Sequence, residues 1–231
     1  MPVVGIVFKA NHITGAISVI ALYSPTLPRP VVFDVYRNPK LYMEGQLHRI
    51  FQAEQLVKVV HDCKDFCGRL AKEQYIKCNS MFDTQVAYTL KMEENGLPPR
   101  LIAYDNLHSN VVGSSLGQLA TYAKVQEKSD GNLWTKRPLS AEMLFALGEE
   151  VVSLRLEVYP RVLSSLDEHG LEEFELRCGV AGRGQRLTGT LGVTSAKKRV
   201  GISQSPLCSI SPRQADLLPH TKPMSSENKP E

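Results

Sequence analysis

The chain has 231 residues, 42% of them hydrophobic and 22% charged, with a net charge of +3 at neutral pH. Such values belong to globular proteins and exclude fibrous and wholly disordered classes. The longest apolar runs last about half a dozen residues where a membrane span needs about 20, and the opening Met-Pro-Val-Val-Gly-Ile lacks a basic secretory region, so the chain reads as soluble, intracellular and without a membrane partner.

Residues 3–8, 17–23 and 31–35 are β-rich and separated by turn signals, Asn-His-Ile-Thr-Gly at 11–15 and prolines at 25, 28 and 30. Three strands with short connections predict an antiparallel meander. The period then changes. Residues 45–53 are helical, 57–61 form a short apolar strand, 63–73 a helix, 74–80 a return segment carrying a short strand, and 84–92 another helix. Strand–helix–strand alternation after a meander predicts a mixed sheet with helices on its faces. Residues 93–139 read as loop with one short helix at 116–124. Ser140 then opens the longest helical pattern, with Met143, Leu144, Leu147, Val151, Leu154 and Val158 as its stripe. Pro160 should kink it, and the pattern runs out at Gly170.

Charge divides the chain. Residues 1–176 hold 18 Lys and Arg against 21 Asp and Glu, a net of −3, and residues 177–231 hold 9 against 3, a net of +6. Every Phe, Trp and Tyr lies before residue 177. A basic stretch without aromatics buries little apolar surface. The predicted organisation is a folded domain over 1–170 and a disordered basic tail over 171–231. The five cysteines, Cys63, Cys67, Cys78, Cys178 and Cys208, form no Cys-x-x-Cys pair and read as ordinary reduced thiols.

Local chemistry gives several polar residues structural roles. Asp62 stands where a helix N-cap is wanted, with Asp65 three residues on. Asp83 stands likewise before the helix at 84–92, and Ser140 before the long helix. His61 closes an apolar strand, and Trp134 reads as a packing anchor.

Three segments carry a resemblance: Val57-Lys-Val-Val-His-Asp-Cys-Lys64, Met81-Phe-Asp-Thr-Gln-Val-Ala87, and Trp134-Thr-Lys-Arg-Pro-Leu-Ser-Ala-Glu-Met143 with the helix after it. In order and spacing, residues 2–170 resemble the DEDD-type 3′–5′ exonuclease domain of the ribonuclease D group. The likeness is strongest to the branch of Egalitarian and the exonuclease-domain protein of the PIWI-interacting RNA (piRNA) pathway. The resemblance implies a ribonuclease H-like α/β fold, a five-stranded mixed sheet flanked by helices. It also implies four carboxylates holding two Mg²⁺ or Mn²⁺ ions, which clamp the attacking and leaving oxygens of a phosphodiester.

The family's acids are largely missing. Its first-strand Asp-x-Glu falls on Gly5 and Val7, and its second Asp on Phe66, with Asp65 one residue early. Its Tyr-x-x-x-Asp falls on Ala146 and Glu150. Losing even one ligand commonly costs orders of magnitude in rate. The expectation is therefore a catalytically inactive RNA-binding adaptor without a metal cofactor. The alternative is an active exonuclease using Asp62, Asp65, Glu149 and Glu150. Lys9, His12 and Lys64 are candidate nucleic-acid contacts in the domain, and Lys197, Lys198 and Arg199 in the tail. From the resemblance come RNA as ligand, partners in piRNA biogenesis or RNA transport, a Tudor-type protein among them, self-association as a homodimer, and a place in cytoplasmic RNA granules.

Overall fold

The computed structural model describes residues 1–179. Strands β1 (Val3–Ala10), β2 (Ile17–Tyr23) and β3 (Val31–Phe33) form the predicted antiparallel meander. After helix α1 (Leu47–Gln52), strand β4 (Val57–Val60) pairs in parallel with β1. Helix α2 (Cys63–Gln74) leads to β5 (Met81–Asp83), which pairs in parallel with β4. The sheet order is β3-β2-β1-β4-β5, the five-stranded mixed sheet expected. The last strand lies just beyond the 74–80 segment expected to carry it.

Six α-helices follow among the described residues: α3 (Thr84–Glu94), α4 (Tyr104–Val112), α5 (Gln118–Ser129), α6 (Ala141–Ser153), α7 (Tyr159–Ser165) and α8 (Glu168–Gly179). Between α6 and α7 the chain stays helical but widens to a π turn over Leu154–Val158. This is where Pro160 acts. Its ring cannot sit against the carbonyl four residues back, and the wider turn relieves the clash. No helix among the described residues is long and apolar enough to cross a membrane.

Period-two alternation gives each face of the sheet its own core. Val7, Val19 and Val59 face Trp134, Leu147 and Val151 on one side, and Val4 and Ile6 face Phe51, Phe66 and Leu70 on the other. The fold continues past the expected boundary at residue 170. Phe174 on α8 is fully buried and stacks near Phe82 of β5, with ring centroids 4.6 Å apart. One buried aromatic contributes about 2–3 kcal/mol, enough to hold a helix that overall composition assigns to a tail.

Lys58 breaks the apolar pattern of β4. Its side chain is fully buried and its ammonium donates to the Ala53 carbonyl at 2.5 Å. Burial pushes its pKa down to about 8, against 10.5 ordinarily. Between about pH 8 and 10.5 the unfolded chain binds a proton that the folded one does not, so stability rises with pH across that window and the deficit is complete below it. Lys58→Met is expected to flatten this slope and to raise stability at pH 7 by about 1–3 kcal/mol. Urea unfolding of both proteins at pH 7.5 and 10 checks it, and identical pH dependence would contradict it.

Candidate functional site

A cavity of about 230 Å³ opens at the C-terminal ends of β1 and β4, lined among others by Val7, His61, Asp62, Asp65, Tyr104 and Glu150. In open α/β sheets this is where ligands bind, because the connections of neighbouring strands diverge there.

From β1, alternate residues Gly5, Val7 and Lys9 face α6. Gly5 lies under the helix: a Cβ there would stand 2.9 Å from the Arg155 Cβ and 3.1 Å from the Val151 carbonyl oxygen. Even Gly5→Ala is therefore expected to cost about 1–3 kcal/mol by overpacking, read as a lower urea midpoint. Farther along β1, the Lys9 ammonium lies 2.7 Å from Glu150 Oε2, with both side chains about 10% exposed. Burial works to lower the Lys9 pKa, but the Glu150 and Glu127 carboxylates raise it above its ordinary value. The ammonium also lies 5.5 Å from the centre of the Trp134 ring, which is buried as a packing anchor. Below it, Arg137 binds both carboxylate oxygens of Asp34 and holds that acid below the usual carboxylate range. Asp34 therefore fixes the loop that leads into α6.

His61 uses both ring nitrogens, one with Thr84 Oγ1 at 3.0 Å and one with the Ile102 carbonyl at 2.8 Å. Burial keeps its pKa low, and neither nitrogen is left to serve as base or ligand. Asp62 does not cap α2 with its side chain. The cap comes from Asp83, whose buried carboxylate accepts the backbone N–H of Asp62 and Cys63 and also that of Gln85, each at 2.9 Å. One acid thus closes the N-termini of α2 and α3. Ser140 caps α6 as expected, accepting from the Met143 amide at 3.3 Å.

No family model matches the chain. The mouse piRNA biogenesis protein EXD1 is 31% identical over 175 residues, 71% of this chain and 30% of that protein. The Caenorhabditis elegans Egalitarian protein homolog is 26% identical over 153 residues, 64% of this chain and 26% of the other. Escherichia coli RNase D, an exoribonuclease involved in structured RNA processing, superposes with a TM-score of 0.60 at 14% identity over 78% of this chain and 44% of its own. The chain belongs to the DEDD-type 3′–5′ exonuclease domain family. It spans less than a third of the length of the curated relatives named here.

Within this family's frame the first strand offers no acid at all. Gly5 lies against Val151 near the end of α6 and Arg155 in the π turn beyond it, while the Lys9 ammonium meets Glu150. Lys9, rather than Gly5, is therefore the β1 residue whose side chain meets Glu150. No acid stands at Gly5, Val7 or Lys9, and the group that faces Glu150 is a cation.

The other motif positions diverge as well. Phe66 points to the opposite face of the sheet, fully buried and stacked on Phe8 with centroids 4.6 Å apart. Asp65 is exposed and pairs with Arg69 at 2.9 Å. Ala146 is buried in the core. A hydroxyl does reach this region, but from α4: Tyr104 is buried and its OH donates, at 3.4 Å, to Ser153 Oγ or the Glu150 carbonyl. Sequence reading missed it because α4 was not expected. The alternative acid set does not assemble either, since Glu149 accepts from the Ala120 amide of α5 at 3.0 Å. Among the described residues no three His, Cys, Asp or Glu side chains are placed to hold a metal ion. These residues do not fit a pair of divalent cations.

Of the expected nucleic-acid contacts, Lys9 is corrected. It is buried and neutralised by Glu150, because the absent acids left an apolar floor on which a lone carboxylate needs a counter-ion. His12 is exposed and bonds Glu127 at 3.0 Å. Lys64 is exposed in the first turn of α2. Lys197, Lys198 and Arg199 lie outside the described residues.

Proposed function

We propose that this chain is a catalytically inactive, 3′–5′ exonuclease-like RNA-binding adaptor of piRNA biogenesis or RNA transport. The reading places it in the cytoplasm, in RNA granules, as a homodimer with protein partners that include a Tudor-type domain, and without a metal cofactor. The observation that carries inactivity is the Lys9–Glu150 ion pair at 2.7 Å. A fixed ammonium beside the last acid repels the divalent ions that two-metal cleavage needs. RNA as ligand is supported by the relatives, one named for piRNA biogenesis, and by the shared fold of Trypanosoma brucei RNase D, which was solved in complex with RNA U12 (TM-score 0.55, 18% identity, 68% of this chain and 55% of that one).

The basic side chains grouped near Glu150 already have acidic partners. Lys9, His12 and Lys124 are engaged by Glu150, Glu127 and Asp105. Phosphate attraction therefore falls to the basic C-terminal stretch. A 3′-labelled oligoribonucleotide incubated with Mg²⁺ or Mn²⁺ is expected to stay intact, and metal-dependent trimming would overturn inactivity. In a mobility-shift assay at low salt, deleting residues 180–231 is expected to weaken RNA binding more than any single substitution in 1–179 and to flatten its salt dependence. The cut belongs at 180, because one at 177 would sever α8. Equal binding by the truncated chain would place the RNA on the folded domain. No RNA retention by the full chain, even at low salt, would leave a protein-only scaffold.

A further inference from the structure

The connection between α3 and α4 carries a motif that the RNA reading leaves unused. It runs Leu97-Pro98-Pro99-Arg100-Leu101, and all five residues are exposed. Leu97 is 46% and Leu101 81% exposed. Single exposed leucines are ordinary, but two of them flanking adjacent prolines make a contiguous apolar strip.

The strip is anchored at both ends. Gly96, at φ +69°, closes α3. Its amide donates to the Glu93 carbonyl and the Leu97 amide to the Met92 carbonyl, both at 2.9 Å, the bond pattern of a left-handed helix cap. At the far end the buried Gln85 side chain spans Leu101. Its Nε2 donates to the Arg100 carbonyl at 3.2 Å, and its Oε1 accepts the Ile102 amide at 2.9 Å. His61 Nε2 donates to the Ile102 carbonyl at 2.8 Å, and the Ile102 side chain packs against the core. The backbone is thus fixed on either side of Leu101, while the Leu101 side chain stays in solvent.

Between the anchors, covalent geometry sets the shape. Proline holds φ near about −65°, and the residue before a proline is driven to extended or polyproline II backbone. Leu97 and Pro98 each precede a proline, so the stretch is a short piece of polyproline II, with no N–H at 98 or 99 in need of a partner.

We propose that Leu97–Leu101 is a pre-organised docking ligand for a protein domain whose groove is one aromatic slot with an acidic group beside it, the chemistry of WW domains. Aromatic side chains grip the two flat proline rings. The carboxylate pairs with Arg100, which is exposed and enters no ion pair among the described residues. Leu101 covers the apolar rim of the groove. A single Pro-Pro pair fills one slot, whereas SH3 grooves read a second proline three residues on, and here positions 101 and 102 are Leu and Ile. Anchoring at both ends removes an ordering cost that a free peptide bears.

The test titrates the full chain by calorimetry with a purified WW domain that accepts Pro-Pro-Arg peptides. Binding is expected, is lost when the groove tryptophan of that domain is replaced by alanine, and is absent with an SH3 domain. Pro98→Ala combined with Pro99→Ala should weaken it about tenfold or more, and Arg100→Glu about tenfold. Both variants alter exposed loop residues and should keep the native urea midpoint. The free 95–103 peptide should bind about threefold or more weakly than the full chain. No binding by the full chain, a preference for the SH3 domain, an interaction that survives loss of the groove tryptophan, or an affinity unmoved by either variant overturns the proposal. A free peptide that binds as tightly as the folded chain leaves the Gln85 anchor without a role in docking and overturns it as well.

Discussion

Replacing Asp83 by alanine is expected to destabilise the protein by about 3–5 kcal/mol. The carboxylate is 3% exposed and accepts three backbone N–H groups, those of Asp62, Cys63 and Gln85. Two of those donors open α2 and the third opens α3, so each would become an orphan at a helix start. An unsatisfied buried donor costs about 1–3 kcal/mol, and bonds to a charged acceptor lie at the upper end. Asp83→Asn keeps one acceptor oxygen and should lose about half as much. Urea unfolding with an unchanged slope measures both. A midpoint for Asp83→Ala within about 1 kcal/mol of the native protein would mean that water satisfies the helix starts and that the cap has no structural weight.

The reason sequence reading gave the α2 cap to Asp62 is general. A local window sees the residue before the helix, not one 21 positions later on the neighbouring strand. The parallel pairing of Val60 with Asp83 brings that acid beside the end of β4. The central strands and α2, α3 and α6 were legible because their apolar periods of two and 3.6 are strong. Helix α4 was not. Asp105, Asn106, Ser109 and Asn110 dilute its pattern, and only Tyr104, Leu107 and His108 are buried. Helix α8 carried a readable signal in Leu171, Phe174 and Cys178, at spacings of three and four, which the basic composition beyond them obscured. Which β1 residue meets Glu150 was out of reach for a different reason. Gly5, Val7 and Lys9 share one face of β1, so period two cannot choose among them. Only the level at which α6 crosses the strand decides.

That level makes Glu150→Ala the most informative substitution. Removing the carboxylate leaves the Lys9 ammonium about 10% exposed without its counter-ion, which costs about 3–5 kcal/mol when a buried pair is broken from one side. The raised Lys9 pKa fixes the pH window. The pair's contribution is fully present below the unfolded value near 10.5 and disappears as pH climbs through the higher folded value. Neutral-pH unfolding therefore reports all of it. Lys9→Met combined with Glu150→Leu removes both charges at nearly constant volume, and should recover most of the loss, as apolar replacements of buried pairs do. A metal relic predicts the opposite pattern. Glu150→Ala would then be nearly neutral for stability in the absence of metal. Millimolar Mg²⁺ or Mn²⁺ would raise the melting temperature of the native chain, since a ligand at 100 times its Kd adds about 2.7 kcal/mol, and the rise would vanish in the variant. A Glu150-dependent thermal shift with either ion would refute the ion-pair reading, whereas a flat response together with the large single-variant loss means that lysine has taken over the work of the metals as a structural counter-ion.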